Sequence, residues 1–521
     1  MIHREALIAQ MSSVKEWDVI IIGGGASGLG IAVDAASRGL STLLLEQYDF
    51  AKGTSSKSTK LLHGGVRYLA QGDIKLVIEA LEERGHLAQN ARHLFQKKEF
   101  IVPNYIWWKG PYYLLGLKLY DWLSKRLSLG SSQYLSKKKI EKQFPTLKKE
   151  GLSNGVSYFD GQFDDARLAI NLVQTAIDLG ALPLNYMKVT QFHKDKNNLV
   201  EQVEVEDMET HKIYSVKGKA IVNATGIFTD SILKMYNPKH KKMVVPSQGI
   251  HLMLDSSFLQ SDKAILIPKT SDGRVLFIIP WHQKVIVGTT DTLIKKPTIE
   301  PTPKHEEVEF ILDNINQYLS KKATKEDVLS VYSGLRPLAR PSNEKMATKE
   351  VSRSHKIIVD NNLITIVGGK WTTYRKMAED LVDEIIRSFP FKKIPCKTKE
   401  IPIHGNVEKH LEVDDHLYFY GSDLNAFLQF EATKPLYQEK IHPHYNFTKG
   451  QVLWSIQNEM ARTVEDVLSR RIRLLLLDAR AAREAAPVVA SLMAGALGKN
   501  PAWEQNQIST FTELSEKYIL H

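Results

Sequence analysis

The sequence contains one cysteine, Cys396, among its 521 residues. A single thiol excludes an internal disulfide, a redox-active dithiol and a cluster of thiolate metal ligands, because each of these needs more than one cysteine. No run of roughly 18 uncharged apolar residues occurs either, so we expect no membrane-spanning helix. Residues 1–17 hold only a short apolar stretch, which is too little for the core of a secretory signal.

The signatures of several enzyme classes are missing as well. The chain has no Walker phosphate loop, no His-Glu-x-x-His zinc motif and no acidic cluster with the spacing of a calcium loop. It has no Gly-x-Ser-x-Gly elbow between a strand and a helix, since Ser27 lies inside a glycine turn of another kind. We therefore expect no resident metal ion and no serine-hydrolase chemistry.

The balance of charge is strongly basic, with a formal net charge of +10 and an isoelectric point near 9.1. This balance suits an anionic substrate, an anionic membrane surface or a nucleic acid, and it does not choose among them. Hydrophobic residues make up 43% of the chain, which is ordinary for a globular protein, and the length predicts two or three domains.

The most informative segment is residues 18–28, Asp-Val-Ile-Ile-Ile-Gly-Gly-Gly-Ala-Ser-Gly. Gly23 permits a tight turn after an apolar strand, Gly25 lets backbone N–H groups approach a pyrophosphate, and Gly28 lets a helix pack closely on the sheet. Glu46 follows the next apolar run, where a carboxylate binds the ribose hydroxyls of an adenine dinucleotide. The segment therefore predicts a dinucleotide-binding βαβ unit.

A purely structural turn and an NAD site remain alternatives on this segment alone. Three features favour FAD instead. The unit stands near the N-terminus, the strands that complete its sheet lie far away at residues 220–226 and 363–369, and the hydroxyl-rich loop 54–60 is suited to wrap an extended cofactor.

Residues 97–149 combine many lysines with a run of aromatic and leucine side chains between Tyr105 and Leu123. Such a mixture is typical of a helix at a membrane–water interface. The alternative is an ordinary core helix with a solvated lysine face, and the sequence does not decide between the two. Nucleic-acid binding is not expected, because the aromatics are bunched among leucines instead of spaced along a basic groove.

The remaining pattern predicts the outline of the rest of the chain. Pro390 and Pro395 mark a linker, after which the chain is predicted to be mostly helical. Thr463-Val-Glu-Asp466 has capping-box spacing at the start of an apolar helix. Apolar runs and caps predict strands at 250–254, 264–267, 275–279, 285–288 and 363–367, and helices at 73–94, 164–179 and 305–320.

Six short motifs then occur in an order that is typical of one family. They are His63-Gly-Gly-Val-Arg-Tyr68, Asp164-Asp-Ala-Arg167, Asn223-Ala-Thr-Gly226, Gly288-Thr-Thr-Asp291, Gly334-Leu-Arg-Pro-Leu338 and Gly368-Gly-Lys-Trp-Thr-Thr-Tyr-Arg375. With the glycine turn, they closely resemble the FAD-dependent, quinone-linked glycerol-3-phosphate dehydrogenases over residues 17–480. Residues 460–471 resemble part of that family's helical C-terminal domain. Mitochondrial members carry calcium-binding EF-hands beyond this point, and we do not expect them in this chain.

The resemblance implies an α/β fold. It comprises a Rossmann-like FAD-binding domain of the glutathione-reductase/amino-acid-oxidase type, a mixed-sheet substrate domain and an α-helical C-terminal domain. The expected limits are 17–95, 150–235 and 350–388 for a discontinuous FAD-binding domain, 96–149 and 236–349 for a substrate domain with a membrane-facing surface, and 396–521 for the C-terminal domain.

The expected reaction requires residues that bind a phosphate dianion and a base that removes a hydroxyl proton. Both must lie beside the group that accepts the hydride. Arg336 is the first candidate for the phosphate, because a planar guanidinium binds two oxygens at once. Its neighbours Gly334 and Pro337 predict a shaped loop beside a sheet.

The resemblance implies that Arg67, Tyr68, His251 and Lys370 also line the substrate pocket. Arg67 and Lys370 would add positive charge against the phosphate and the developing oxyanion. His251 is the natural general base because the ordinary pKa of histidine lies near neutrality. Lys370 is the alternative base, and the choice between the two stays open.

A larger set is expected to hold FAD, some residues from the glycine turn and others from the resemblance. They are Gly23, Gly25, Ala26, Ser27, Gly28, Glu46, Gln47, Thr54, Ser55, Ser56, Ser58, Lys60, Leu61, His63, Val189, Ala224, Thr225, Gly226, Gly368, Gly369, Lys370 and Thr373.

The resemblance implies oxidation of sn-glycerol 3-phosphate to dihydroxyacetone phosphate by hydride transfer to FAD, with the electrons passed to a membrane quinone. An oxidase of the same family that uses O2 is one alternative. A non-catalytic flavin-binding membrane adaptor is another, which the intact Arg336 and Lys370 segments disfavour. The expected partners are glycerol 3-phosphate, a quinone, an anionic membrane surface and a second copy in a homodimer. The expected location is the cytoplasm, with peripheral attachment to the cytoplasmic membrane.

Overall fold

Two large β-sheets organise the chain in the computed structural model, which describes residues 4–65, 73–124, 127–340 and 355–521. The strands are β1 (Trp17–Ile22), β2 (Thr42–Leu45), β3 (Leu61–Leu62), β4 (Gln96–Asn104), β5 (Gln133–Ser136), β6 (Asn154–Gln162), β7 (Leu182–Leu184), β8 (Met187–Lys194), β9 (Val200–Asp207), β10 (Ile213–Val216), β11 (Gly218–Asn223), β12 (Val244–Asp255), β13 (Ala264–Ile267), β14 (Leu276–Trp281), β15 (Lys284–Gly288), β16 (Thr292–Leu293), β17 (Val328–Ala339), β18 (Lys356–Asp360), β19 (Leu363–Val367), β20 (Lys440–His442) and β21 (Tyr445–Thr448).

Helices cover the sheets and make up most of the C-terminal region. They are α1 (Arg4–Ser13), α2 (Ala26–Ser37), α3 (Ile74–Asn90), α4 (Lys109–Leu123), α5 (Lys137–Gln143), α6 (Asp165–Asp178), α7 (Thr229–Tyr236), α8 (His305–Ile315), α9 (Tyr374–Ser388), α10 (Leu424–Glu431), α11 (Pro435–Gln438), α12 (Lys449–Asn458), α13 (Leu474–Leu477), α14 (Ala479–Leu497) and α15 (Pro501–Glu516).

The six-stranded sheet has the order β18-β19-β11-β1-β2-β7 and is parallel except for the edge strand β18. Both of its faces are covered, as is usual for a parallel sheet. In β1, Val19 and Ile21 pack with helices α2, α6 and α9, whereas Ile20 and Ile22 pack with the three-stranded sheet β10-β9-β8. This three-layer arrangement confirms the predicted Rossmann-like class.

The ten-stranded sheet has the order β16-β12-β15-β14-β13-β4-β6-β3, with β17 paired to β12 and β5 paired to β6. It is mixed, because β13 and β4 are parallel whereas β4 and β6 are antiparallel. Six of its strands, β3, β4, β5, β6, β16 and β17, are absent from the predicted set. In the longest three, β4, β6 and β17, lysines, glycines and two prolines interrupt the apolar alternation, and long-range pairing rather than local pattern makes them strands.

The C-terminal region is mostly helical, as predicted, although the hairpin β20–β21 interrupts its helices. Its apolar side chains share one core with the ten-stranded sheet, where Leu474 and Val489 join Phe100. The predicted cap forms as well, since the Asp466 N–H donates to Thr463 Oγ1 at 3.2 Å. The segment that follows, Asp466–Arg471, is a π-helix instead of an α-helix.

Buried ion pairs join the C-terminal region to the unit around the six-stranded sheet. Arg471 lies 2.7 Å from Asp49, and Arg167 lies 2.6 Å from Glu459. Removing one partner of such a pair leaves a buried charge uncompensated, which costs about 3–5 kcal/mol. These pairs therefore fix the helices firmly against the sheet unit.

The domain limits drawn from the sequence stay a prediction. The six-stranded sheet takes its strands from the three segments 17–95, 150–235 and 350–388. Two strands within those segments need a correction, because β3 and β6 belong to the ten-stranded sheet. The physical reason is the long antiparallel ladder of β6 with β4, which satisfies the backbone groups of β6 away from the parallel sheet.

His404 ties the linker that follows α9 to α6. Its Nε2 lies 2.9 Å from Asp423 and its Nδ1 lies 2.8 Å from Asp178. Hydrogen bonding to Asp423, followed by that to Asp178, raises the pKa of His404 from 6.5 to about 9. Because the folded pKa is raised, this contribution to stability is fully present below pH 6.5 and is lost as the pH rises through about 9.

We therefore expect the Tm of the wild type to fall more steeply between pH 6.5 and pH 9 than that of His404→Gln, as measured by differential scanning fluorimetry. His211→Gln, at an exposed histidine, is the control and should follow the wild type. Parallel curves for the wild type and His404→Gln would contradict the expectation.

Candidate functional site

A cleft of about 470 Å³ opens at one edge of the six-stranded sheet. Its lining includes the residue that follows each of four parallel strands: Gly23 after β1, Glu46 after β2, Ala224 after β11 and Gly368 after β19. Parallel strands end at the same edge, so four distant segments meet there, at the usual ligand site of such sheets.

Close contacts in the glycine turn leave no room for side chains. Gly23 has a φ of 110°, and a Cβ on Gly28 would lie 1.9 Å from the carbonyl oxygen of Gly23. Gly25 caps α2 without a side-chain hydrogen bond, while the Ala26 N–H donates to Ser55 Oγ at 2.9 Å. The positive end of the α2 dipole therefore stands at the cleft, where it suits a pyrophosphate.

Glu46 lies in the cleft wall, where the sequence places it. Its Oε2 accepts the Gly24 N–H at 2.7 Å and its Oε1 accepts the Tyr48 N–H at 2.9 Å. Burial raises the pKa of Glu46, against the opposing effect of these two hydrogen bonds. An ionised carboxylate offers about four acceptor positions, so positions remain for ribose hydroxyls.

The structure brings most of the predicted cofactor residues to this one cleft. Those that line it are Gly23, Gly25, Ala26, Ser27, Glu46, Gln47, Thr54, Ser55, Val189, Ala224, Thr225, Gly226, Gly368, Gly369 and Lys370. Glycine turn, helix terminus and carboxylate together fit the two phosphates and the ribose of an adenine dinucleotide.

Other predicted contacts in loop 54–60 turn away from the cleft. Ser58 Oγ donates to Asp165 at 2.7 Å, and Lys60 Nζ donates to Asp165 at 2.6 Å and to the Ser56 carbonyl at 2.7 Å. Leu61 packs in the apolar core of the ten-stranded sheet. Burial lowers the pKa of Lys60 to about 7. These hydroxyls and this ammonium bond to protein groups and do not line the cleft, so their contact with a cofactor stays a prediction.

Two further predicted residues, His63 and Thr373, are not among those that line the cleft. Thr373 is buried in the 3₁₀ turn Trp371–Thr373. Arg67 and Tyr68, expected from the resemblance, lie outside the described residues, and their role stays a prediction.

Sequence reasoning missed several lining residues, and four of those listed below, Tyr48, Lys188, Pro337 and Trp371, neighbour a predicted one. Trp371 follows Lys370 and donates its Nε1–H to the Ser55 carbonyl at 2.8 Å. Proximity to a predicted residue is the signal that points to them. The missed residues include Tyr48, Lys52, Lys188, Phe228, Met235, Ile299, Pro337, Trp371 and Met377.

Arg336 lies in strand β17, opposite Ser247 of β12, and not in a loop as predicted. The flanking glycine and proline are tolerated because β17 is at the edge of its sheet. Nη2 donates to Thr289 Oγ1 at 3.1 Å, and Nη1 lies 3.6 Å from Asp291. The side chain is 23% exposed.

His251 lies in β12 and is 2% exposed. Its Nε2 is 2.9 Å from Thr59 Oγ1, and its ring stacks on Tyr332 with centroids 4.9 Å apart. Burial is the main cause that holds the pKa of His251 well below 6.5, and the charges of Lys60 and Arg336 add to it. The imidazole is therefore neutral near pH 7 and able to accept a proton.

Lys370 lines the cleft directly after β19 and the turn Gly368-Gly369. The two glycines have φ values of 82° and 98°, which favour glycine over any other residue. A Cβ on Gly369 would lie 2.3 Å from Met377. The turn thus places a cationic side chain beside the dinucleotide cleft.

Two family descriptions match the chain. "FAD dependent oxidoreductase" matches residues 18–374, which is more than half of the sequence, and "C-terminal domain of alpha-glycerophosphate oxidase" matches residues 362–507.

Similar proteins are known by sequence and by structure. The mitochondrial glycerol-3-phosphate dehydrogenase of Schizosaccharomyces pombe is 38% identical, over 99% of this chain and 89% of its own length. The human mitochondrial glycerol-3-phosphate dehydrogenase is 37% identical, over 97% of this chain and 74% of its own length. The glycerol-3-phosphate dehydrogenase of Bacillus halodurans complexed with FAD has a TM-score of 0.81 at 29% identity, over 99% of this chain and 98% of its own. The FAD-bound L-alpha-glycerophosphate oxidase of Mycoplasma pneumoniae shares the fold, with a TM-score of 0.57 at 17% identity. The match covers 74% of this chain and 97% of its own.

We expect Gly28→Ala to weaken the binding of FAD by about 10-fold or more, because overpacking at such a contact costs about 1–3 kcal/mol. The added Cβ pushes α2 away from the glycine turn. The measurement is FAD titration of the apoprotein, followed by flavin fluorescence.

Gly495→Ala is the matched control, since Gly495 is also helical but a Cβ there meets nothing within 4 Å. It should bind FAD like the wild type. Wild-type affinity in Gly28→Ala would mean that the turn does not hold the dinucleotide.

Proposed function

Because the chain belongs to the family of FAD-dependent glycerol-3-phosphate dehydrogenases, we propose that it oxidises sn-glycerol 3-phosphate to dihydroxyacetone phosphate. The observation that carries the proposal is the position of Lys370, a cationic residue, in the wall of the dinucleotide cleft. Arg336 is not among the lining residues, although Pro337, the next residue of the same strand, is one of them. The proposed substrate is a phosphorylated alcohol that would lie between the cleft and Arg336.

The substrate phosphate is assigned to Arg336, whose guanidinium offers two N–H groups in one plane. The hydrogen bond to Thr289 and the nearby carboxylate of Asp291 fix the guanidinium in place. A Cβ on Gly249 would lie 2.3 Å from Nη2, so glycine at this position gives the guanidinium its room.

His251 or Lys370 is proposed as the general base that removes the proton from the substrate hydroxyl. His251 is supported by its neutral, buried imidazole, and Lys370 by its place in the cleft wall. The chemistry that bound FAD supplies is acceptance of a hydride from the alcohol carbon. The residues proposed to hold it are the glycine turn, Glu46 and the other lining residues named above.

The decisive experiment is the visible spectrum of the purified holoenzyme before and after anaerobic addition of sn-glycerol 3-phosphate. The proposal requires loss of the flavin absorbance near 450 nm, on the order of one FAD per chain. A yellow protein whose spectrum does not change would overturn it.

A membrane quinone is the proposed acceptor of the electrons, because the exposed aromatic side chains described below would place the enzyme at a membrane. The similarity of the C-terminal region to that of an oxidase makes O2 the second candidate. Stopped-flow reoxidation of the reduced enzyme separates the two: a soluble quinone should reoxidise the flavin much faster than air-saturated buffer does.

The proposed membrane contact is a surface on α4 and the turn before it, which we call the aromatic surface. Its large side chains point outward, with Trp107 74%, Leu115 76% and Trp122 74% exposed. The inner face of the same helix, with Leu117 and Tyr120, packs in the core. This exposure supports the interfacial alternative over an ordinary core helix with a solvated lysine face.

Lysines surround the aromatic surface, which supports an anionic membrane as its partner. The helices α4 and α5 both contact β5, and α5 presents three successive exposed lysines, Lys137–Lys139. None of the helices within the described ranges has the length and apolarity to cross a bilayer. We propose peripheral attachment to the cytoplasmic membrane through the aromatic surface and these lysines.

Arg336→Ala should lower kcat/KM for glycerol 3-phosphate by at least about 10-fold, because a charged hydrogen bond contributes roughly 1.5–3 kcal/mol. Steady-state assays with a quinone analogue give the ratio. Arg387→Ala, at an exposed arginine of α9, is the control and should behave like the wild type. Unchanged kinetics in Arg336→Ala would remove Arg336 from the site.

The double variant Trp107→Ser, Trp122→Ser should reduce co-sedimentation with phosphatidylserine-containing vesicles by at least about 10-fold. Burial of each large side chain in the membrane contributes roughly 1.5–3 kcal/mol of binding free energy, which serine does not supply. Replacement of all three lysines Lys137–Lys139 by glutamate should weaken vesicle binding at low salt. The effect should be smaller at high salt, because salt screens the attraction between exposed charges.

Ile213→Ser, which changes another exposed apolar residue on β10, is the control for the vesicle assay. Full binding by both the serine and the glutamate variants would show that this surface does not contact the membrane.

A further inference from the structure

Thr59 is a residue of the site that neither the glycine turn nor the motifs of the family single out. It lies between Ser58 and Lys60, and its Oγ1 is 2.9 Å from Nε2 of His251. The other ring nitrogen of His251, Nδ1, is buried, and it has no hydrogen-bond partner within the described part of the chain.

The position of Thr59 is fixed from both sides. Ser58 donates its N–H and Oγ–H to Asp165 at 3.0 and 2.7 Å, and Lys60 donates to the same carboxylate at 2.6 Å. Tyr332, which stacks on the His251 ring, donates its hydroxyl to the Ser58 carbonyl at 3.2 Å. The segment and the ring it contacts are therefore one packed unit.

The strand behind the ring is equally close. Gly288 of β15 pairs with His251, and a Cβ at Gly288 would lie 2.5 Å from Cδ2 of the imidazole. With Tyr332 against one face of the ring and β15 at its edge, the imidazole has little room to rotate. The direction of the hydrogen bond between Nε2 and Thr59 Oγ1 then decides which nitrogen carries the proton.

A neutral imidazole has one N–H, and two arrangements are possible. In the first, Nε2–H donates to Thr59 Oγ1 and leaves Nδ1 as a bare acceptor. In the second, the Thr59 hydroxyl donates to Nε2 and leaves Nδ1–H buried without an acceptor among the described residues. The first is favoured because a buried donor without a partner is costly, and because the half-buried Thr59 can turn its own hydrogen towards water.

We propose that Thr59 is a positioning residue that holds His251 as the Nε2–H tautomer and so makes Nδ1 the atom that accepts the substrate's hydroxyl proton. The proposal rests on the proposed function and selects His251 over Lys370 as the base. In the step, the O–H bond of the alcohol breaks and an N–H bond forms at Nδ1, while the C–H bond breaks and the C=O bond forms. Bound FAD would supply the two-electron acceptor for the hydride.

The electrostatic surroundings of the ring agree with this assignment. Lys60 from the same segment and Arg336 from β17 are the charged groups near the imidazole, and both favour its neutral form. From β15 it is met by Gly288, which carries no charge. A neutral ring with a single N–H is the species that a fixed tautomer requires.

The kinetic test compares Thr59→Val, which is nearly isosteric and lacks the hydroxyl, with Thr59→Ser, which keeps it. Anaerobic stopped-flow reduction of the holoenzyme by saturating glycerol 3-phosphate should slow by at least about 10-fold in Thr59→Val, as expected for impaired general-base catalysis. KM should stay within about 3-fold, and Thr59→Ser should stay within about 3-fold of the wild type in rate. Thr270→Val, which removes a hydroxyl bonded to Asp272 between β13 and β14, is the control.

The tautomer itself is measured by long-range ¹H–¹⁵N NMR of histidine-labelled protein, with His251→Gln to assign the signal. The wild type and Thr59→Ser should show a protonated Nε2 and a bare Nδ1, and Thr59→Val should lose this preference. A protonated Nδ1 in the wild type, or an unchanged tautomer in Thr59→Val, would overturn the proposal. Equal reduction rates in Thr59→Val and the wild type would overturn it too.

The two proposals fail in different ways. If glycerol 3-phosphate does not bleach the wild-type flavin, the proposed function fails. The NMR experiment needs no turnover, so it decides the tautomer of His251 in either case.

Discussion

The buried carboxylate of Asp165 is the interaction on which the rest of the site depends. It opens α6, where the helix dipole favours a negative charge. One oxygen accepts hydrogen bonds from Ser58 and Lys60, and the other accepts one from Arg473 at 2.8 Å. Arg473 also lies 3.4 Å from Asp164, so two cations face two carboxylates. Loss of any one member would leave a buried charge unpaired, at a cost of about 3–5 kcal/mol.

This cluster explains why loop 54–60 is rich in hydroxyl groups. One end of the loop bonds the start of α2 through Ser55, where the dinucleotide phosphates are expected. The other end bonds His251 through Thr59, in the proposed substrate pocket. Between them, the Ser56 carbonyl accepts from Lys60 and from Arg473 of the C-terminal region. The loop therefore links the cofactor cleft, the pocket and the C-terminal helices through bonds within the protein.

The aromatic surface is connected to the same region by its inner face. Tyr120 of α4 accepts the Gly64 N–H at 2.8 Å and donates to Asp160, which pairs with Arg84 at 2.7 Å. Gly64 belongs to the turn that leads towards residues 66–72, where two pocket residues are expected. A Cβ on Gly64 would lie 2.5 Å from the Tyr120 hydroxyl, so this contact has no room for a side chain at position 64. The helix proposed to meet the membrane thus contacts the motif that carries the expected residues Arg67 and Tyr68.

The sequence by itself determined the dinucleotide unit, because a glycine turn, its strand and Glu46 are local features whose spacing carries their chemistry. It also predicted Arg336 from its motif and His251 from the family resemblance as pocket candidates, although not their surroundings. Only the tertiary structure decided that Arg336 stands in a strand and that Lys60 is buried away from the cleft. It alone brought Thr59 to His251. These outcomes depend on pairings between segments more than a hundred residues apart, such as Thr59 with His251 and Lys60 with Asp165, and no local pattern encodes such distances.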